Sequence, residues 1–138
     1  MDYELTFHHI GIACHKIEKT LPFYTAMGYN AAPVIDDVIQ HVRVCFLDKD
    51  GAPRLELLEP LDELSPVART LATSGVTPYH ICYEVQDLTA AVDALRRQRF
   101  LLVNGPVEAC AMGNRRIAFM FQKNTGLIEL VETPSSDE

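Results

Sequence analysis

The sequence has little positive charge, no long hydrophobic stretch and no closely spaced cysteines. Its 138 residues include 12 Lys and Arg against 19 Asp and Glu, which gives a net charge of −7. The basic residues are mostly scattered, so they form no continuous cationic surface of the kind that neutralises a phosphate backbone. We therefore expect no nucleic-acid partner.

No apolar stretch is long enough to span a bilayer, and the first residues lack the basic and apolar regions of a secretory signal. We therefore expect no membrane association and a cytoplasmic protein. The cysteines form no CxxC motif, and three of them lie in apolar, strand-like segments. All four are predicted to be reduced thiols: Cys14, Cys45, Cys82 and Cys110.

The composition, with 48% hydrophobic and 22% charged residues, is that of an ordinary globular protein. A chain of this length suffices for one compact domain. We predict a single domain at residues 1–134, with a first module at 7–61, a connector at 62–76 and a second module at 77–133. Residues 134–138 carry no apolar anchor and are predicted to be a flexible tail.

An internal repeat relates the two halves of the chain. His9-Ile10 recurs 71 residues later as His80-Ile81, each time within a short strand-like segment that precedes a helix-like one. Farther along, at an offset of 73, residues 43–47 match 116–120 and residues 55–59 match 128–132. Each half is therefore predicted to form one strand, one helix and then strands separated by turns.

Helix boundaries follow from capping residues and prolines. Asp87 is a suitable N-cap for the helix of the second half, and Ser65-Pro66 opens a short helix that extends to about Ala72. The helix of the first half is less regular, because Pro22 interrupts the segment 17–27. We expect that helix either to begin shortly before Pro22 or to kink there.

Four polar side chains at repeated strand positions are interpreted as metal ligands. They are one His and one Glu from each half: His9, Glu56, His80 and Glu129. Strand alternation places each of them opposite the apolar residues that pack under a helix, where two buried carboxylates repel each other unless a cation lies between them. Two imidazoles and two carboxylates suit Zn, Ni, Co, Mn or Fe(II) better than Ca, and the identity of the metal stays open.

Each of these residues taken alone has a simpler interpretation. A lone strand His is more often a hydrogen-bonded structural residue, and a lone strand Glu is usually solvated. The matching positions in both halves favour the metal site. Arg43 and Arg116 also repeat and are weaker candidates for binding a substrate phosphate or carboxylate, since an arginine at a strand start is more often solvated or ion-paired.

Five motifs lie along the chain: HHIGIA at 8–13, LELLEP at 55–60, YHICYEV at 79–85, GNRRIAF at 113–119 and GLIEL at 126–130. With these motifs the sequence resembles the vicinal oxygen chelate superfamily of glyoxalase, bleomycin resistance and dioxygenase proteins. Within it the sequence is similar to the methylmalonyl-CoA epimerase-like group. The resemblance implies an α+β fold of two βαβββ modules whose mixed sheets curl into a cup, with the helices outside and the four ligands around a metal inside.

The resemblance also implies the chemistry. The expected reaction is an isomerisation or epimerisation in which a carboxylate removes a proton α to a carbonyl, most simply on a 2-substituted malonyl-CoA-type thioester. Glu129 is the preferred base and Glu56 its symmetry-related counterpart. Epimerases of this group often have Gln in place of Glu56, and some carry a further acid on the strand at 42–46, where this chain has none.

Other functions stay open on the sequence alone. A glyoxalase I-type lyase acting on a thiol hemithioacetal needs the same four ligands, and a small-molecule binding or resistance protein shares the fold but often lacks the ligands. A ring-cleaving dioxygenase is disfavoured, because it typically holds Fe(II) with only three protein ligands. Since this superfamily often pairs, we expect a homodimer.

Overall fold

The computed structural model describes residues 4–134, which contain nine β-strands and three α-helices. Residues 135–138 of the predicted tail lie outside the described residues. The chain divides into two compact units: the first spans His9–Tyr79, and the second includes residues 80–134 with residues 4–8. The assignment of the chain to one domain with the stated module limits stays a prediction.

The first unit contains a mixed sheet with the strand order β2-β4-β5-β1, and β3 also pairs with β4. β1 is parallel to β5, whereas β4 is antiparallel to β5, β2 and β3. The elements in chain order are β1 (Thr6–Ala13), α1 (Ile17–Ala26), β2 (Asn30–Ala31), β3 (Ile35–Asp37), β4 (Val42–Asp48), β5 (Leu55–Pro60) and α2 (Pro66–Ser74).

The second unit repeats this plan with the strand order β6-β9-β8-β7. β6 is parallel to β9, and β8 is antiparallel to both β9 and β7. The elements are β6 (Thr77–Val85), α3 (Leu88–Arg97), β7 (Leu101–Ala109), a 3₁₀ turn (Cys110–Met112), β8 (Arg115–Gln122) and β9 (Gly126–Glu132). Both units thus combine a mixed sheet with at least one helix, which confirms the predicted α+β fold class.

The sequence repeat is also a repeat of strand register. In both units the strand pairing brings a Glu beside the first strand of the unit and opposite a Phe on the preceding strand. The neighbours are Gly11–Glu56 and Cys82–Glu129 across the parallel strands, and Phe46–Glu56 and Phe119–Glu129 across the antiparallel ones. Equivalent residues therefore stand at equivalent points of the two sheets.

One face of each sheet packs against a helix, and we call it the helix face. In the first unit the buried cluster joins α1 to β1, β4 and β5: Ile12, Cys14, Ile17, Cys45, Leu47, Leu55 and Leu57. In the second it joins α3 to β6, β8 and β9: Val85, Leu88, Ala91, Val92, Leu95, Ala118, Met120 and Leu130. Burial of this apolar surface is the main force that holds each helix on its sheet.

No disulfide joins the four cysteines, as predicted. Cys14 and Cys45 belong to the apolar core of the first unit, and desolvation raises the pKa of Cys45 and raises that of Cys14 to about 11. Both are therefore neutral thiols near pH 7.

The three helices begin in different ways. Asp87 caps α3 by accepting the Ala90 N–H at 3.0 Å, and Ser65 caps α2 by accepting the Val67 N–H at 3.3 Å, both as predicted. α2 continues two residues beyond the predicted end, to Ser74, where Gly75 with φ +71° terminates it. α1 begins at Ile17 and keeps Pro22 inside it. None of the helices within residues 4–134 has the length and apolar character needed to cross a membrane.

Candidate metal centre

In the first unit, His9 and Glu56 form a buried pair between two parallel strands. His9 lies on β1 and Glu56 on β5, with His9 Nε2 3.1 Å from Glu56 Oε1. The imidazole is fully buried and the carboxylate nearly so. The ring of Phe46, on β4, meets the His9 ring edge to face with 5.2 Å between the centroids. Three neighbouring strands therefore fix the orientation of this imidazole.

The second unit contains the equivalent pair. His80 on β6 and Glu129 on β9 place Nε2 and Oε1 3.0 Å apart, and both side chains are buried. Phe119, on β8, packs edge to face on the His80 ring at 5.4 Å. The same residue types hold the same geometry in both units.

The separation of the two atoms in each pair suits adjacent ligands of one metal ion. Ligand atoms that lie about 2.1 Å from an ion and subtend a right angle at it are about 3 Å apart. The same separation suits a hydrogen bond in which the imidazole N–H donates to the carboxylate when no ion is bound. An imidazole nitrogen and a carboxylate oxygen are donors that Zn, Ni, Co, Mn and Fe(II) accept. Each unit thus presents half of the predicted ligand set.

Each His–Glu pair lies on the sheet face opposite its helix, which we call the site face. In the second unit, alternation along β8 puts Arg115, Ile117 and Phe119 on the site face, while Ala118 and Met120 belong to the helix-face core. On β6, Glu84 shares the site face with His80, because Val85 packs in the core under α3. The site face of this unit therefore carries charged side chains besides the ligand pair.

Arg43 and Arg116 lie on the helix faces and form ion pairs there. Arg43 donates to Glu59 at 3.3 Å and to Asp36 at 3.1 Å, and the bonds to Glu59 and then to Asp36 raise the pKa of its guanidinium. Arg116 Nη2 lies 2.6 Å from Glu132 Oε2. This geometry supports the ion-pair interpretation of both arginines, and their role in substrate binding stays a prediction.

Sequence reasoning missed two charged residues, Arg115 and Glu59. The repeat argument selected Arg116, because it matches Arg43, and passed over its neighbour on the opposite strand face. Glu59 shares the helix face of β5 with two buried leucines, Leu55 and Leu57, so a carboxylate at an apolar position was the available signal. It is buried and accepts the Ile17 N–H at 2.8 Å.

Two of the histidines without a repeat partner have other contacts. His8 Nε2 lies 3.1 Å from Arg115 Nη2. His41 Nδ1 lies 2.9 Å from Asp62 Oδ2 near the surface, and this hydrogen bond holds the pKa of the Asp62 carboxyl below its usual value.

Two similar units, each with a helix on one face of a mixed sheet and a buried His–Glu pair on the other face, define the class of fold. The model of the glyoxalase/bleomycin resistance protein/dioxygenase superfamily matches residues 8–119. This match covers most of the chain, and the chain belongs to that superfamily.

Within the superfamily the chain is similar to epimerases. It is 31% identical over 127 residues to the mitochondrial methylmalonyl-CoA epimerase of Homo sapiens, which covers 89% of this chain and 71% of that protein. It is 30% identical over 129 residues to the ethylmalonyl-CoA/methylmalonyl-CoA epimerase of Cereibacter sphaeroides, which covers 89% of this chain and 94% of that protein.

The fold is similar to that of a solved epimerase. The structure of a Streptomyces coelicolor methylmalonyl-CoA epimerase variant in complex with 2-nitronate-propionyl-CoA superimposes with a TM-score of 0.82 at 31% identity. The match covers 96% of this chain and 100% of that one.

Proposed function

We propose that this protein is a divalent-metal-dependent epimerase that removes a proton α to a carbonyl on a 2-substituted malonyl-CoA-type thioester. The observation that carries the proposal is the recurrence of one buried His–Glu pair, with nitrogen and oxygen 3.0–3.1 Å apart, at the same register in both units. The substrate class is supported by the epimerase relatives and by the acyl-CoA analogue bound in the similar structure.

The proposed ligands of a single ion are His9, Glu56, His80 and Glu129. All four are buried, so their side chains lose little conformational freedom on binding an ion. Four protein ligands also leave positions for substrate oxygens on a six-coordinate ion. When bound, a divalent ion supplies positive charge that stabilises the negative charge developing on the substrate carbonyl as the proton leaves.

The side chains of this protein would handle the proton. A Glu129 oxygen accepts the proton from the α-carbon, and return of a proton to the opposite face of that carbon inverts the centre. Glu56, at the equivalent position of the first unit, is the counterpart proposed for the second face. The edge-to-face contacts of Phe46 and Phe119 would keep both imidazoles oriented while a proton moves to or from the neighbouring carboxylates.

Elemental analysis tests the metal part of the proposal. Purified protein should carry about one divalent ion per chain, and the double variant His9→Ala, His80→Ala should lose it. A matched control is His15→Ala, His41→Ala, which removes two histidines outside the pairs and should retain the ion. A wild-type protein that binds no divalent metal would overturn the catalytic proposal and favour the small-molecule binding alternative.

Isotope exchange tests the reaction. In deuterated water the metal-loaded protein should introduce deuterium at the α-carbon of methylmalonyl-CoA faster than the buffer alone does, as detected by mass spectrometry. Turnover of a thiol hemithioacetal without α-deuteration of any malonyl-type thioester would instead support the glyoxalase I-type lyase.

A further inference from the structure

Basic side chains are rare in the strands of residues 4–134, and only one of those described lies on a site face. The strands described within residues 4–134 contain three arginines and no lysine: Arg43, Arg115 and Arg116. Arg43 and Arg116 lie on helix faces in ion pairs. Arg115 is the one that shares a face with a His–Glu pair.

The guanidinium of Arg115 is largely buried and held by three groups of the second unit. Its Nη1 donates to Glu84 Oε2 at 2.8 Å, its Nε donates to the Met112 carbonyl at 3.3 Å, and its Nη2 lies 3.1 Å from His8 Nε2. The side chain is 12% exposed. Because a guanidinium only donates, His8 Nε2 is the acceptor in this contact. Three of the five N–H groups are thus engaged, and two can still donate.

Strand register places this cation near the ligand carboxylate of the same unit. Glu129 lies beside Cys82, and Glu84 follows two residues later on the same face of β6. Two residues along a strand correspond to about 7 Å. The Glu84 carboxylate that holds the Arg115 guanidinium therefore belongs to the row of site-face side chains next to that of Glu129.

We propose that Arg115 recognises the free carboxylate of the malonyl-type acyl group, an inference that rests on the proposed function. A malonyl-type thioester carries a negative charge that a simple acyl thioester lacks, and a guanidinium binds a carboxylate through directed, charge-assisted hydrogen bonds. Glu84 neutralises and orients the guanidinium before substrate arrives, so that the protein does not bury an unpaired charge. Arg115 thereby selects for 2-carboxyacyl thioesters.

The test compares two thioesters that differ in the carboxylate. Calorimetric titration of the metal-loaded protein with methylmalonyl-CoA and with propionyl-CoA cancels every contact to the shared CoA moiety. Arg115→Met should weaken binding of methylmalonyl-CoA about ten- to a hundredfold and leave propionyl-CoA unchanged. Arg115→Lys keeps the charge and should lose less, which provides a second variant if Arg115→Met fails to fold.

Two further arginine variants sharpen the result. Arg54→Met breaks a solvent-exposed ion pair with Asp48. It should alter the affinity for neither thioester. Arg116→Met tests whether the adjacent arginine, and not Arg115, recognises the substrate carboxylate. The inference is overturned if Arg115→Met weakens both thioesters equally, if it weakens neither, or if Arg116→Met alone removes the preference.

Deuterium exchange separates this inference from the proposed function. An Arg115-dependent preference for methylmalonyl-CoA without α-proton exchange would refute the epimerase and retain the recognition role. Exchange that persists with an unchanged preference in Arg115→Met would retain the epimerase and refute the role. A wild-type protein that binds neither thioester would refute both.

Discussion

Helices α1 and α3 occupy equivalent places in the two units, yet their first turns are held differently. In α3 the cap is local, because Asp87 accepts an N–H three residues ahead. In α1 the equivalent residue is Lys16, which makes no side-chain cap, and the Ile17 N–H instead donates to Glu59, 42 residues away. Similar folds can therefore satisfy a free backbone donor in the first turn of a helix either by neighbouring sequence or by tertiary structure.

The distant cap gives the first unit a connection that the second does not need. Glu59 bonds the first turn of α1 and also Arg43 of β4, so one buried carboxylate joins a helix to two strands. In the second unit these tasks fall to separate residues, Asp87 for the helix and Glu132 for Arg116. Replacing Glu59 should therefore remove more contacts than replacing Asp87 or Glu132 alone.

The largest difference expected between the units is catalytic. Glu129→Gln should lower the rate of α-proton exchange about a hundred- to ten-thousandfold, because the amide cannot accept the proton, and it should retain most of the metal. Glu56→Gln should have the smaller effect, because Glu129 is the proposed base for the departing proton. Exchange rates and metal content measured on both variants check this. Full turnover with bound metal in Glu129→Gln would remove it as the base.

A smaller difference between the units is expected in stability, when the residue that holds the first turn of each helix is replaced. Glu59→Ala should lower the free energy of unfolding by about 2–3 kcal/mol, since it leaves a buried N–H without its acceptor and removes one of the two carboxylates bonded to Arg43. Asp87→Ala should cost about 1 kcal/mol, as is usual for an exposed N-cap.

Urea denaturation of these variants provides the measurement. Glu132→Ala is the matched control, because Glu132 is the repeat equivalent of Glu59 and is partly exposed; its loss should cost less than about 1 kcal/mol. Equal losses for Glu59→Ala and Asp87→Ala would show that the tertiary cap is no stronger than the local one.

The smallest difference concerns the thiols. Cys14 of the first unit is buried, whereas Cys110 of the second is exposed, so a thiol reagent at pH 8 should modify Cys110 first in the native protein. Desolvation raises the pKa of Cys14 from 9.0 to about 11. Its neutral form therefore contributes stability that is complete below pH 9 and is lost as the pH rises to about 11.

Mass spectrometry after alkylation and denaturation curves between pH 8 and pH 11 check both statements. A Cys14→Ala variant serves as the control for the alkaline loss and should show a shallower decline. Early modification of Cys14 in the native protein would contradict the burial that underlies the prediction.

Sequence reasoning predicted correctly those features that depend on nearby residues. Asp87 and Ser65 were recognisable as caps because an N-cap bonds residues two or three positions ahead. The His and Glu positions were recognisable because they recur within the repeat. Binding of one metal by these four residues and the expected homodimer stay predictions.

Residues whose role depends on distant partners were beyond sequence reasoning. Glu59 gains its function from a helix start that only the folded chain brings to it. Arg115 and Arg116 are adjacent and chemically identical, and only the strand register decides which of them faces the His–Glu pair. A shift of one residue in that register would exchange their roles.

The parallel pairing of β1 with β5 and of β6 with β9 has a consequence for folding. The two members of each His–Glu pair lie 47 and 49 residues apart along the chain, so each pair forms only after a long loop has closed. An ion that needs both pairs would bind the folded chain and not the unfolded one, and its free concentration would then raise the melting temperature by linkage. Such an ion would therefore stabilise both pairs only after the two long loops have closed.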